Sequence, residues 1–90
     1  MAIKVQIPTP MRDQSEGQAE VTVVGDTVQA ALDDLVRQHP GLGTKLFDKG
    51  KIRPFVNVFV GEEDIRYLDE MDTKLTDGAV VALIPAVAGG

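Results

Sequence analysis

The stretch Gly25-Asp26-Thr27-Val28-Gln29-Ala30-Ala31-Leu32-Asp33-Asp34-Leu35-Val36-Arg37-Gln38-His39-Pro40-Gly41 decides the fold of this chain. Val28, Ala31, Leu32, Leu35 and Val36 fall at i, i+3, i+4, i+7 and i+8, which is one apolar stripe along a helix. Asp26 and Thr27 are both N-cap types, and Pro40-Gly41 stop the helix. Arg37, Gln38 and His39 occupy the last turn, where a cation is favoured by the terminal carbonyls. His39, the single histidine, reads there as a structural residue. Asp33 and Asp34 are assigned to the solvent side, one turn from Arg37 and weakly paired with it.

The flanking segments alternate with a period of two. Ile3, Val5 and Ile7 alternate with Lys4 and Gln6, which predicts a half-buried strand, ended by Pro8-Thr9-Pro10. Residues 11–18 read as a loop, and residues 19–24 as a second strand with Val21 and Val23 on one face. Beyond the helix, residues 41–53 form a basic loop with a short helical turn around Lys45-Leu46-Phe47. Pro54-Phe55-Val56-Asn57-Val58-Phe59-Val60 is the richest β-run. Gly61-Glu62-Glu63-Asp64 reads as a turn, and Ile65-Arg66-Tyr67 as a short edge strand. Residues 69–76 are a polar connector, Asp77-Gly78 is a tight turn signal, and residues 79–84 form the last strand.

A hairpin, one main helix and further strands give an α+β chain whose helix covers one sheet face. This is the β-grasp arrangement, with a mixed sheet of four to five strands. Residues 1–84 are read as the domain, and residues 85–90 as a flexible, extended Gly-Gly tail. Alternation puts Val5, Val21, Val23, Val56, Val58, Val60, Val81 and Leu83 beneath the helix. Phe55, Phe59, Val80 and Ile84 then fall on the uncovered face, an apolar patch of the kind that marks a protein interface.

Ninety residues make one domain with little room for an internal cleft. Apolar residues at 43% and charged residues at 26% match a soluble globular composition. No stretch reaches membrane-span length and the N-terminus has no signal pattern, so a cytoplasmic location is expected. The absence of cysteine excludes disulfides, thiolate metal sites and a cysteine nucleophile. A net charge of −5 disfavours nucleic acid and favours a basic protein partner. The acidic residues Glu62-Glu63-Asp64 and Asp69, Glu70, Asp72 do not fit a calcium-loop spacing and read as surface, so no metal site is expected. Ser15 and the threonines have no histidine placed to activate them as nucleophiles.

The tail, Pro85-Ala86-Val87-Ala88-Gly89-Gly90, ends in two residues without a Cβ, whose backbone passes through a slot that other residues would block. Six extended residues reach roughly 20 Å, enough to enter a partner's active site.

Ile7-Pro8-Thr9, Gly25-Asp26-Thr27, Asp33-Asp34-Leu35, Phe55-Val56-Asn57, Glu63-Asp64-Ile65-Arg66, Asp77-Gly78 and Ile84-Pro85-Ala86-Val87-Ala88-Gly89-Gly90 carry a resemblance. As an ordered set across the whole chain, they resemble the MoaD/ThiS sulfur-carrier family, which has the ubiquitin-like β-grasp fold. Molybdopterin-synthase small subunits typically have Pro-Pro-Val where this chain has Pro85-Ala86-Val87. Thiamine-branch members are shorter and generally lack this proline. The resemblance is therefore nearest to the cysteine-biosynthesis branch.

It implies that a ubiquitin-activating-like (E1-like) adenylyltransferase adenylates Gly90 with ATP and Mg²⁺, and that a sulfur source displaces AMP to leave a thiocarboxylate. Gly90 would carry the sulfur, Gly89 give access, and Ala86, Val87 and Ala88 give reach. The implied acceptor is a pyridoxal-phosphate-dependent cysteine synthase, with a metalloprotease trimming the product. Molybdopterin, other cofactor and tRNA thiolation are further implied acceptors. In that scheme this chain binds no cofactor and is not an enzyme but a protein co-substrate. The alternatives are a ubiquitin-like modifier joined to lysines, and a β-grasp interaction module that uses the same patch.

Overall fold

The structure is a computed structural model that describes residues 2–85. Strand β1 (Ala2–Gln6) pairs antiparallel with β2 (Glu20–Val24), and Ile3, Val5, Val21 and Val23 turn into the core. Helix α1 (Val28–Gln38) follows, capped by Thr27, whose hydroxyl accepts the Ala30 amide at 3.1 Å. Val28, Ala31, Leu32 and Leu35 are completely buried on its inner face. Val36 is only half-buried.

The remaining elements are α2 (Gly41–Leu46), a small hairpin of β3 (Phe47–Asp48) and β4 (Lys51–Ile52), β5 (Val56–Val60), β6 (Glu63–Asp64) and β7 (Val80–Pro85). The main sheet has the order β2-β1-β7-β5-β6. β7 is central: it runs parallel to β1 and antiparallel to β5. A five-stranded mixed sheet with the main helix on one face is the expected β-grasp fold. At the Asp77-Gly78 turn, Gly78 has φ +85°, a left-handed conformation that suits a residue without a Cβ. The Asp77 carboxylate accepts the Ala2 amide at 2.8 Å, which ties this turn to the start of β1.

Several local expectations are corrected. Thr9–Ser15 is a 3-10 helix and not a loop; Pro10 suits a first helical turn, and Met11 packs into the core. The helical turn expected around residues 45–47 is α2, which starts at Gly41 and buries Leu42 and Leu46. The edge strand is β6, two residues earlier than expected, and Ile65–Tyr67 is a 3-10 turn. The cause is Asp64, whose carboxylate accepts the Arg66 amide at 2.9 Å and so turns the chain out of the sheet. Phe55 lies just before β5, and β7 extends one residue past the expected boundary, to Pro85.

Two acidic residues placed on the surface by sequence are buried. Asp34 accepts the Val24 amide at 3.0 Å and pairs with Arg37. Asp64 holds Arg66 through three side-chain hydrogen bonds of 2.6–3.2 Å. Both carboxyls are held below the usual carboxylate range. For Asp34 the Val24 hydrogen bond is the main cause, aided by Arg37 and Gln38 and opposed by burial. For Asp64 the main cause is the Arg66 side chain, followed by the Arg66 amide.

Candidate functional site

Strand parity builds the open face of the sheet. Val81 and Leu83 of β7 and Val56 and Val58 of β5 are buried, so Val80, Ala82 and Ile84 and also Asn57 and Phe59 point the other way. The register sets Phe59 opposite Ala82 and Asn57 opposite Ile84, while Lys4 and Gln6 flank Val80 and Ala82 on the β1 side. The face is therefore apolar over β7 and β5 and mostly polar over β1 and β2, where Val24 is the exposed large apolar exception. Phe55 and Ile84 are 41% and 45% exposed, whereas Phe59 and Val80 are half-buried. Phe55 and Ile84 thus leave an exposed apolar patch beside β7, the last described strand.

The end of β7 has a partner on one side only. β1 leaves the sheet after Gln6, where Pro8 cannot supply a ladder donor, so β1–β7 pairing stops at Ala82. Pairing with β5 continues to Val56 and Pro85. The gap on the β1 side is a groove lined by Pro8, Thr9 and Arg12 against Ile84 and Pro85. Arg12 is fixed there by Nε donating to the Ile7 carbonyl at 3.0 Å. Arg53 donates Nε to the Thr44 carbonyl at 3.0 Å, with its guanidinium carbon 5.9 Å from the centre of the Phe55 ring.

Sequence reading named neither arginine; the Arg-Pro-Phe order at residues 53–55 was the available signal for Arg53. It also passed over two strongly exposed apolar residues, Tyr67 at 85% and Val24 at 57%. Gly90, Gly89, Ala88, Val87 and Ala86, the expected sulfur-carrying and tail residues, lie outside the described residues.

Ser15 donates to the Gln18 carbonyl at 2.8 Å, and His39 is the C-cap of α1, its amide bonded to the Leu35 carbonyl at 2.8 Å. Among the described residues, no group of three or more His, Cys, Asp or Glu is placed to hold a metal ion. No described helix is long and apolar enough to cross a membrane. The described residues thus supply an apolar sheet face and, bordering it, the strand β7 that ends at Pro85.

Comparison with known proteins matches residues 5–90 to the model of the ThiS family. The sulfur carrier protein CysO of Mycobacterium tuberculosis is 40% identical over 93 residues, covering 100% of both chains. A chain in the crystal structure of the Amycolatopsis orientalis BexX/CysO complex superposes with a TM-score of 0.90 at 35% identity, covering 98% of this chain and 99% of that one. Small archaeal modifier protein 3 of Haloferax volcanii is 39% identical over 64 residues, 71% of this chain and 70% of its own.

Proposed function

This chain belongs to the ThiS family, and from that premise we propose that it is a sulfur carrier protein, a co-substrate whose terminal Gly90 is converted to a thiocarboxylate. The observation that carries the reading is the end-to-end likeness to a sulfur carrier, 40% identical with both chains fully covered. The fold supports it: β7, the strand that precedes the tail in sequence, is anchored at the sheet centre and borders an apolar face.

A terminal carboxylate with a pKa of about 3.3–3.7 is ionised at neutral pH and is a poor electrophile. Activation therefore comes first. An E1-like adenylyltransferase transfers AMP from ATP to the Gly90 carboxylate, releasing pyrophosphate, with Mg²⁺ held by that enzyme. A sulfide equivalent then attacks the acyl carbon, the bond to AMP breaks, and the thiocarboxylate remains. Gly89 lets the backbone enter the enzyme's slot, and Ala86, Val87 and Ala88 span it. Phe55, Phe59, Val80 and Ile84 form the face against which these partners dock. The likeness to CysO favours a cysteine-type acceptor: a pyridoxal-phosphate-dependent synthase receives the sulfur, and a metalloprotease releases the product. A protein of this kind works in the cytoplasm.

The test is the intact mass of the protein after incubation with an E1-like enzyme of this family, ATP and sulfide. Replacement of one oxygen by sulfur, lost on deletion of Gly90, is expected. An unchanged mass with an enzyme proven active on a related carrier would overturn the reading. The likeness to a small archaeal modifier favours a second reading, an amide between Gly90 and target lysines. Lysine adducts of the terminal peptide in tryptic digests of cell extract distinguish it.

A further inference from the structure

The hydrogen bonds of β1 show which way the backbone of β2 faces. The Lys4 amide donates to the Ala79 carbonyl at 3.0 Å, and the Gly78 amide donates to the Ala2 carbonyl at 2.8 Å, so Ala2 and Lys4 turn toward β7. Ile3 and Val5 therefore face β2, opposite Val23 and Val21. The alternate residues Thr22 and Val24 direct their amides and carbonyls outward, along the edge of the sheet. An unpaired edge of this kind is a template for another strand. β2 has five residues, four of them β-branched, and Val24 is exposed. The opposite edge, β6, has two residues before the chain turns away.

Two of the outward groups of β2 are already taken by side chains of α1. The Val24 amide donates to Asp34 Oδ2 at 3.0 Å, and Gln38 Nε2 donates to the Thr22 carbonyl at 3.1 Å. Gln38 Nε2 also donates to Asp34 Oδ2 at 3.0 Å, and Arg37 pairs with Oδ1, which fixes the carboxylate. One acceptor for Val24 and one donor for Thr22 is what the backbone of an added strand would offer. We propose that Asp34 and Gln38 form a clasp that closes the β2 edge against strand addition by a second copy of this chain. The excluded partner is another β2, because a strand paired antiparallel with its own copy makes a self-complementary two-fold contact.

The test is sedimentation equilibrium of the full chain and of the Asp34→Ala/Gln38→Ala variant over a hundredfold range of concentration. The parent mass is expected to stay at 9.7 kDa, while the variant mass climbs toward twice that value. Adding Val24→Pro removes an outward amide donor and is expected to return the variant to the monomer mass. A folded variant that stays monomeric, a parent that associates equally, or association untouched by Val24→Pro would each overturn the proposal. Should the double variant lose its helical circular dichroism, Gln38→Ala, at an exposed position, decides by the same criteria. None of these readouts depends on sulfur transfer.

Discussion

Gly25 passes so close beneath the first turn of α1 that a Cβ on it would stand 2.6 Å from the backbone nitrogen of Ala31. The Ala30 carbonyl carbon would be 2.9 Å away, and neither backbone atom can yield as a flexible side chain would. The Gly25→Ala variant is therefore expected to lose about 1–3 kcal/mol of stability, the usual cost of overpacking. Urea unfolding followed by circular dichroism checks it; a midpoint equal to that of the parent contradicts the close approach.

Thr27 is the N-cap of α1, and its hydroxyl accepts the Ala30 amide. Thr27→Ala is expected to cost about 1 kcal/mol, and Thr27→Ser much less, because serine keeps the acceptor. Parallel denaturation of the two variants separates loss of the cap from loss of the methyl group.

Asp34 and Asp64 are both held below the ordinary carboxylate range in the folded protein. The native state therefore binds fewer protons than the unfolded chain as the pH falls through about 4. Their contribution is present in full above the unfolded value and is lost as the pH drops through the folded values. Stability is expected to hold from neutral pH to about 5 and to fall below about 4, and the Asp34→Asn/Asp64→Asn variant should show a shallower acid limb. Thermal midpoints measured from pH 7 to pH 2 give the comparison; equal slopes would count against it.

Ile84 is 45% exposed on the open face, directly opposite Asn57. An Ile84→Glu variant leaves the core untouched and is expected to raise the KM for the carrier in its activation roughly tenfold or more, with little change in thermal stability. Phe55→Ala should act in the same direction. Unchanged kinetics in both variants would remove this face from the docking surface.

The fold was legible because its strongest signals are local. Thr27, the stripe from Val28 to Leu35, and the alternation around Val5, Val23, Val58 and Val81 each require short-range periodicity alone. Asp34 was misplaced because its burial depends on the β2 edge: no helical period shows that the Val24 amide needs an acceptor. Asp64 was read as part of a solvated acidic turn and Arg66 as part of an edge strand, because nothing local shows that the Asp64 carboxylate caps the turn that follows it. Leu42 and Leu46 have the i, i+4 spacing of a helix, but in a segment with Gly41 and Gly43, both weak helix formers, the expected turn was confined to residues 45–47. Of the candidate site, the apolar face followed from strand parity. Arg12 and Arg53 did not, since their positions are set by the carbonyls of Ile7 and Thr44.

The central position of β7 has a mechanical consequence. β7 is held by β1 on one side and β5 on the other, so a load applied at Pro85 along the strand axis acts on both ladders. Such a load shears many ladder hydrogen bonds at once, whereas an edge strand pulled outward would open them one after another. A strand placed so resists extraction better than any edge strand of the same length.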